Sequence, residues 1–270
     1  MQTSLTTPTS FVGNVPENYE TYMVPMYMRP YAEEMGRRVA RSHLKDILEI
    51  AAGTGILTEC LRRENPEANI VATDLNEDMM DHGKRVRPNV NVTWKQADAN
   101  ALPFEDASFD AVVMQFGYMF LEDPAVAVRE AFRVLRPGGR YLFDTWDSRD
   151  QNEIAQETYR ALTDQIEPGP PGFLHIPFGC HEEAPILENL RAAGFKEAKV
   201  ERIPATSTAP SAKDAATALV FGSPLFGLIQ ESGRNPENLR DLLANALAAR
   251  FGDNPLNARM QALIFEAIKP

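Results

Sequence analysis

From about residue 46 onward, short apolar runs alternate with amphipathic stretches. Asp46 to Ile50 (DILEI), Asn69 to Thr73 (NIVAT), Asn91 to Lys95 and Asp110 to Gln115 (DAVVMQ) have the length of strands. The last is the unbroken apolar kind buried on both faces of a parallel sheet. Thr54 to Glu64 and Asn76 to Arg87 have helical polarity, with Asn76 placed to act as an N-cap. Asp123-Pro124 opens a further helix, with Asp as cap and Pro in the first turn. Val128, Ala131, Phe132 and Leu135 then fall on one face at i, i+3, i+4 and i+7. Arg136-Pro137-Gly138-Gly139 stops it before a fifth strand, Arg140 to Thr145. A sixth strand is expected over Lys196 to Ile203 and a last over Gln261 to Ile268 (QALIFEAI). This rhythm predicts a doubly wound α/β sheet, seven-stranded and mostly parallel.

The flanking segments break the rhythm. Residues 1–16 are polar and rich in Thr, Ser and Pro, as in a flexible arm. Residues 17–43 have a helical pattern broken near Pro25 and Pro30 and form an expected N-terminal cover. The α/β core then spans 44–203. Within it, 147–180 carries Pro168, Gly169, Pro170, Pro171 and Gly172 and is expected to be an irregular lid. Glu182 to Ala193 is a helix closed by Gly194. Residues 204–258 form a helical insertion, with helices about 211–220 and 236–250, before the last strand at 259–270.

Composition narrows the function classes. Apolar residues make up 44% and charged residues 24%, ordinary globular usage. The formal net charge of −11 and the lack of a dense basic run argue against a nucleic-acid partner. Cys60 and Cys180 form no disulfide framework and no CxxC spacing, as expected in a reducing compartment. The N-terminus does not read as a secretory signal, and no apolar run has the length of a membrane span, so the cytoplasm is the expected location.

The chemistry-bearing feature is Glu49-Ile50-Ala51-Ala52-Gly53-Thr54-Gly55, where the first strand hands over to a helix. Small residues at 51, 53 and 55 permit a tight turn and close backbone approach, and the helix start behind them offers free amides. Asp74 follows 19 residues after Gly55 at the end of the second strand, where an acid can accept hydrogen bonds from ribose hydroxyls. Loop and acid together point to an adenosine ligand. A dinucleotide fingerprint starting at Gly53 would need glycine where Thr58 stands, and there is no GxxxxGK[ST]. Asp98-Ala99, after the third strand, reads equally as an adenine contact or a capped turn.

Ile47 to Gly55 resembles the first S-adenosylmethionine (SAM)-binding motif of class I methyltransferases, and Thr73-Asp74-Leu75-Asn76 resembles the second. Gln96-Ala97-Asp98-Ala99, Leu102-Pro103-Phe104 and Ser108 to Val112 resemble the third and fourth. Leu135 to Gly139 is similar to the turn before the fifth strand of that family. The nearest branch is the ubiquinone/menaquinone type, over about 46–146 with weaker likeness to 203. The resemblance implies a Rossmann-like class I fold and these roles. Glu49 orients the loop or reaches the methionine amino group through water. Ala51, Gly53 and Gly55 line the methionine end. Asp74 holds the ribose, with Leu75 and Met79 near the adenine and Asp98 and Ala99 on it. Gln115 meets the methionine ammonium. Ala51 departs from the Gly or Cys common in the family.

The activity so implied is methyl transfer from SAM to O, N or C of a small, partly apolar molecule, without metal. Asp144 and Asp147 do not complete an oxygen-rich set. Positioning and water exclusion can carry much of such a reaction, and no base is evident. His175 and His181 are weak candidates, each reading as readily as a surface or capping histidine, while His43 and His82 look like helix-surface residues. Two segments suit a substrate lid: Tyr19 to Tyr31, with Tyr19, Tyr22, Met23 and Tyr27, and Phe221 to Phe226, with Phe221 and Leu225. Either reads equally as core packing. Arg29 is either a partner for the SAM carboxylate or a surface arginine. The alternatives left open are a SAM-binding cyclase or rearrangement enzyme, a non-catalytic nucleotide-binding protein, and a nicotinamide-dependent oxidoreductase. Nothing in the sequence selects the acceptor, the atom methylated or the oligomeric state.

Overall fold

The computed structural model describes residues 14–40, 44–166 and 172–270. It opens with one helical rod: α1 (Val15–Asn18), a π-helical segment (Tyr19–Met28) and α2 (Arg29–Val39). The rod is not broken at its prolines, contrary to the expectation from sequence. Pro25 lies inside the π segment, whose wider turn relieves the clash between a proline ring and the carbonyl four residues back. Pro30 occupies the first turn of α2, which tolerates proline. Of the arm expected over 1–16, only 14–16 are described, and there Val15 and Pro16 are buried at the start of α1. The rest of the arm, and His43, lie outside the described residues.

The chain continues through β1 (Asp46–Ile50), α3 (Ile56–Glu64), β2 (Asn69–Asp74), α4 (Glu77–Val86), β3 (Thr93–Gln96), β4 (Phe109–Met114), α5 (Pro124–Val134) and β5 (Leu135–Trp146). It then forms α6 (Glu153–Ile166), α7 (Glu183–Ala193), β6 (Lys196–Ala209), α8 (Ala212–Phe221), α9 (Leu225–Glu231), α10 (Pro236–Phe251) and β7 (Leu256–Ile268). Among the described residues, the strands make one seven-stranded sheet in the order β3-β2-β1-β4-β5-β7-β6. The first five are parallel, and β7 runs antiparallel to both β5 and β6. Strand order reverses between β1 and β4, the place where open α/β sheets form ligand crevices at their carboxyl ends.

Strand periodicity builds two cores, one on each sheet face. Ile47, Val113, Leu142 and Ile264 join the core under the π segment, α2, α3, α8 and α10. Their neighbours Leu48, Val112, Tyr141 and Phe265 join the core under α5 and α7.

Three expectations are corrected. The stretch 147–180 is not irregular throughout, since it contains α6. Strand β6 runs on to Ala209 and β7 starts at Leu256, so the inserted helices α8, α9 and α10 fill a narrower span than 204–258. Leu135, grouped with the preceding helix face, begins β5. Among the described residues, no single helix is long and apolar enough to cross a membrane.

Candidate functional site

The loop after β1 is held in a conformation that only small residues accept. Ala51 and Gly53 both have φ of 56°, and Gly55, which caps α3, has φ of 89°, all in the left-handed region. A β-carbon on Gly55 would stand 2.5 Å from the Trp94 ring. The loop is tied to the end of β2. Gly53 N–H donates to Asp74 Oδ2 (2.7 Å), Asn76 N–H donates to Asp74 Oδ1 (2.8 Å), and Ala52 N–H donates to the Thr73 carbonyl (2.9 Å). Burial pushes the Asp74 carboxyl up against the lowering effect of these amides. Beneath the loop, Glu49 is 1% exposed and accepts from the Thr58 hydroxyl at 2.5 Å. Desolvation, its largest influence, pushes it up to about 8.

A cavity of about 330 Å³ opens at the carboxyl ends of the central strands. On the β2–β3 side, Ala51, Gly53, Asp74, Leu75, Met79, Asp98 and Ala99 all line it. Leu75 is 52% exposed there. Asn100, which sequence reasoning missed, also lines the cavity, and its Oδ1 is buried without a hydrogen-bond partner.

Tyr19, Met23, Tyr27 and Met28 of the π segment supply a second wall, joined by Leu225 of α9. Nine residues are about two and a half α-helical turns, which would set Met28 opposite Tyr19. The wider π turn brings both to the cavity. Gln115 lines the cavity, and its side-chain amide donates to the Met28 carbonyl (2.9 Å), fastening the rod to the end of β4.

The β4 and β5 ends add an aromatic wall that sequence reasoning missed. The Phe116 and Trp146 rings stack at 3.9 Å and 9°, Tyr27 meets Trp146 edge-on at 5.5 Å, and Phe178 lies 6.3 Å from Trp146. Phe116 has φ of 48°, and its amide donates to buried Asp144 Oδ1 at 2.6 Å. Desolvation holds the Asp144 carboxyl far above the usual carboxylate range. Asp144 and Trp146, two residues apart on one strand face, thus hold the backbone and the ring of the same residue. A sequence signal existed: Phe116 and Trp146 lie at strand carboxyl ends, beside the switch point.

A buried ion cluster links rod and loop. Arg87 donates to both carboxylate oxygens of Glu20 (3.0 and 2.8 Å), to Glu59 (2.9 Å) and to the Thr54 carbonyl (2.8 Å). The Thr54 hydroxyl donates to Glu20 at 2.6 Å.

Several candidates do not reach the cavity: Glu49, Gly55, Arg29, Tyr22, Phe221, His175 and His181. His181 Nδ1 lies 2.8 Å from the Phe178 carbonyl, His175 packs edge-on against Tyr159 at 4.8 Å, and Phe221 packs on Phe226 at 5.5 Å. Glu49 is buried and does not line the cavity.

A methyltransferase-domain family model matches residues 48–143. The malonyl-[acyl-carrier protein] O-methyltransferase of Hahella chejuensis is 38% identical over 112 residues, 42% of this chain and 40% of that protein. The ubiquinone/menaquinone biosynthesis C-methyltransferase of Saccharophagus degradans is 37% identical over 127 residues, 45% of this chain and 51% of that one. The chain thus spans about half the length or less of these curated relatives. Among solved structures, Haemonchus contortus phosphoethanolamine N-methyltransferase 2, in complex with phosphomonomethylethanolamine and S-adenosylhomocysteine, shares the fold. Its TM-score is 0.60 at 18% identity, covering 94% of this chain and 57% of that one. Over residues 48–143 the chain matches a methyltransferase domain, and its fold is that of Rossmann-like class I SAM-dependent methyltransferases.

Proposed function

We propose that the chain transfers a methyl group from SAM to O, N or C of a small, partly apolar molecule, releasing S-adenosylhomocysteine. The observation that carries this reading is the pairing of Asp74 with Gly53. The loop and the acid face one cavity, with the exposed face of Leu75 beside them.

The residues present fit the cofactor. Asp74 spends one lone pair of each oxygen on a backbone amide, which leaves capacity for ribose hydroxyls. Leu75 offers apolar surface to the adenine, and the orphaned Asn100 Oδ1 and the Asp98 carboxylate offer acceptors to its amino group. When bound, SAM supplies an electrophilic methyl on a positively charged sulfur. The chain's own part is positioning and water exclusion. The rod and the aromatic wall cover the cavity, and Gln115 fixes the rod against β4. A non-catalytic nucleotide-binding protein needs no such cover. The cavity-lining histidines that a general-base mechanism would favour are absent among the described residues. Reducing-compartment cysteine usage supports a cytoplasmic location.

Calorimetric titration with SAM and S-adenosylhomocysteine tests the reading. Both should bind, and Asp74→Asn should weaken them by about 1.5–3 kcal/mol, the worth of a hydrogen bond to a charged group. No heat with either ligand overturns the assignment.

A further inference from the structure

We propose that Asp144 is a positioning residue for the tail end of the cofactor site: through the Phe116 amide it sets the turn after β4, and that turn is the floor for the cofactor's amino-acid tail. The inference rests on the methyltransferase reading and deepens it.

The sheet order says where the tail goes. Asp74 takes the ribose at the end of β2, and Leu75 and Asn100 take the adenine on the β2–β3 side. The remainder of the cofactor then extends the other way, past Ala51 after β1 to Phe116 and Gly117 after β4. These three residues line the same cavity.

Residues 115–117 are tied to three different elements. Gln115 donates to the Met28 carbonyl of the rod, and Phe116 N–H donates to Asp144 Oδ1 on β5 at 2.6 Å. Gly117 packs on the glycine loop, where a β-carbon on it would stand 2.7 Å from the Ala51 methyl and 2.8 Å from Met114 Cγ. Its φ of −96° suits any residue, so space alone excludes a side chain there. Phe116, by contrast, holds φ of 48°, a left-handed conformation that a bulky residue keeps only when its surroundings impose it. The Asp144 bond imposes it on the backbone, and the Trp146 ring holds the side chain. Asp144 itself is fully buried, its Oδ2 has no hydrogen-bond partner, and it does not line the cavity. It therefore acts on a ligand through the turn. Burial keeps its carboxyl protonated, so an acceptor oxygen, not a negative charge, holds Phe116.

The test is calorimetry on the full chain at pH 7 with two probes: S-adenosylhomocysteine, which carries the tail, and adenosine, which lacks it. Asp144→Leu keeps the bulk and removes the acceptor. It should lower S-adenosylhomocysteine affinity about tenfold, since binding must then restore the turn around an unpaired buried amide, and at least fivefold more than it lowers adenosine affinity. Asp144→Asn, which keeps a neutral acceptor oxygen, should bind both probes within threefold of wild type. Gly117→Ala leaves Asp144 in place but pushes the turn off Ala51, and should show the same split between the probes. Should Asp144→Leu fail to fold, Asp144→Asn and Gly117→Ala carry the test. A split below fivefold in Asp144→Leu or in Gly117→Ala, or an Asp144→Asn variant more than threefold weaker than wild type, overturns the proposal and leaves the methyltransferase reading standing. Failure of S-adenosylhomocysteine to bind the wild-type protein removes both.

Discussion

Glu49 and Asp144 are carboxyls kept from water and, with it, from their usual acidity. For Glu49 the consequence is a pH dependence of stability with a definite sign. In the unfolded chain it loses its proton near 4.5, and in the folded protein near 8. Between these values the folded state holds a proton that the unfolded chain has released, so stability falls as pH rises through that window. The stabilisation is complete below about 4.5 and gone by about 8. Glu49→Gln keeps an acceptor for the Thr58 hydroxyl and cannot ionise. Urea unfolding without ligand at pH 5, 6.5 and 8 should show wild type losing at least about 2 kcal/mol relative to the variant, since a tenfold change in proton affinity is worth about 1.4 kcal/mol. A constant difference across the three pH values would show that Glu49 stays ionised. At this scale, the residues legible in the sequence were those whose role follows from a chain position: glycine in a turn, acid at a strand end. Glu49 has a position legible in the sequence and a depth that is not. Strand periodicity assigns it a face, but nothing in the sequence says that it is buried to 1% exposure.

Between elements, Arg87 joins the covering rod to the glycine loop. Its side chain is 5% exposed, while Glu20 and Glu59 keep 18% and 40% exposure, so water already meets part of the cluster. Arg87→Met keeps the length and removes the charge. Glu20, Glu59 and the Thr54 carbonyl then lose their bonds from Arg87, leaving Glu20 only the Thr54 hydroxyl, and the cost is about 3 kcal/mol, the lower end for breaking a buried pair. Because the freed groups belong to the rod and the loop, affinity for S-adenosylhomocysteine should also fall about tenfold, or 1.4 kcal/mol. Thermal melts and calorimetry read the two effects, and a destabilised variant with unchanged affinity would make the cluster a structural tie alone. The role of Arg87 was invisible in the sequence, since its partners lie 28 and 67 residues away. Helix α6 was missed: Ile154, Thr158, Leu162 and Ile166 recur every fourth residue and are buried, but the proline cluster that follows them masks the period. The π segment could not be inferred, because its apolar residues fit neither period, and only a wider turn places Tyr19 and Met28 on one side.

Across the whole molecule, β7 is the strand on which both cores depend. It lies between β5 and β6, and β6 joins the sheet through β7 alone among the described strands. Ile264 faces one core and Phe265 the other, where the Phe265 ring stacks on Phe143 at 5.0 Å and 10°. The sheet's parallel half was legible because its apolar runs mostly alternate with helix signals, the link from β3 to β4 being the exception. The antiparallel half was not, because its pairing depends on strands far apart in the chain. Phe265→Ala removes a fully buried ring and should cost about 3–5 kcal/mol, a large share of the roughly 5–15 kcal/mol that holds a typical protein folded. The two tryptophans can tell whether that loss spreads. Trp94 sits on β3 at one edge of the sheet, and Trp146 ends β5 beside β7. With Trp94→Phe or Trp146→Phe isolating each reporter, Phe265→Ala should lower both unfolding midpoints together, because the sheet between them shares one hydrogen-bonded frame. An early transition at Trp146 with an unmoved one at Trp94 would mean that the β5–β7–β6 half melts independently of the half bearing the glycine loop.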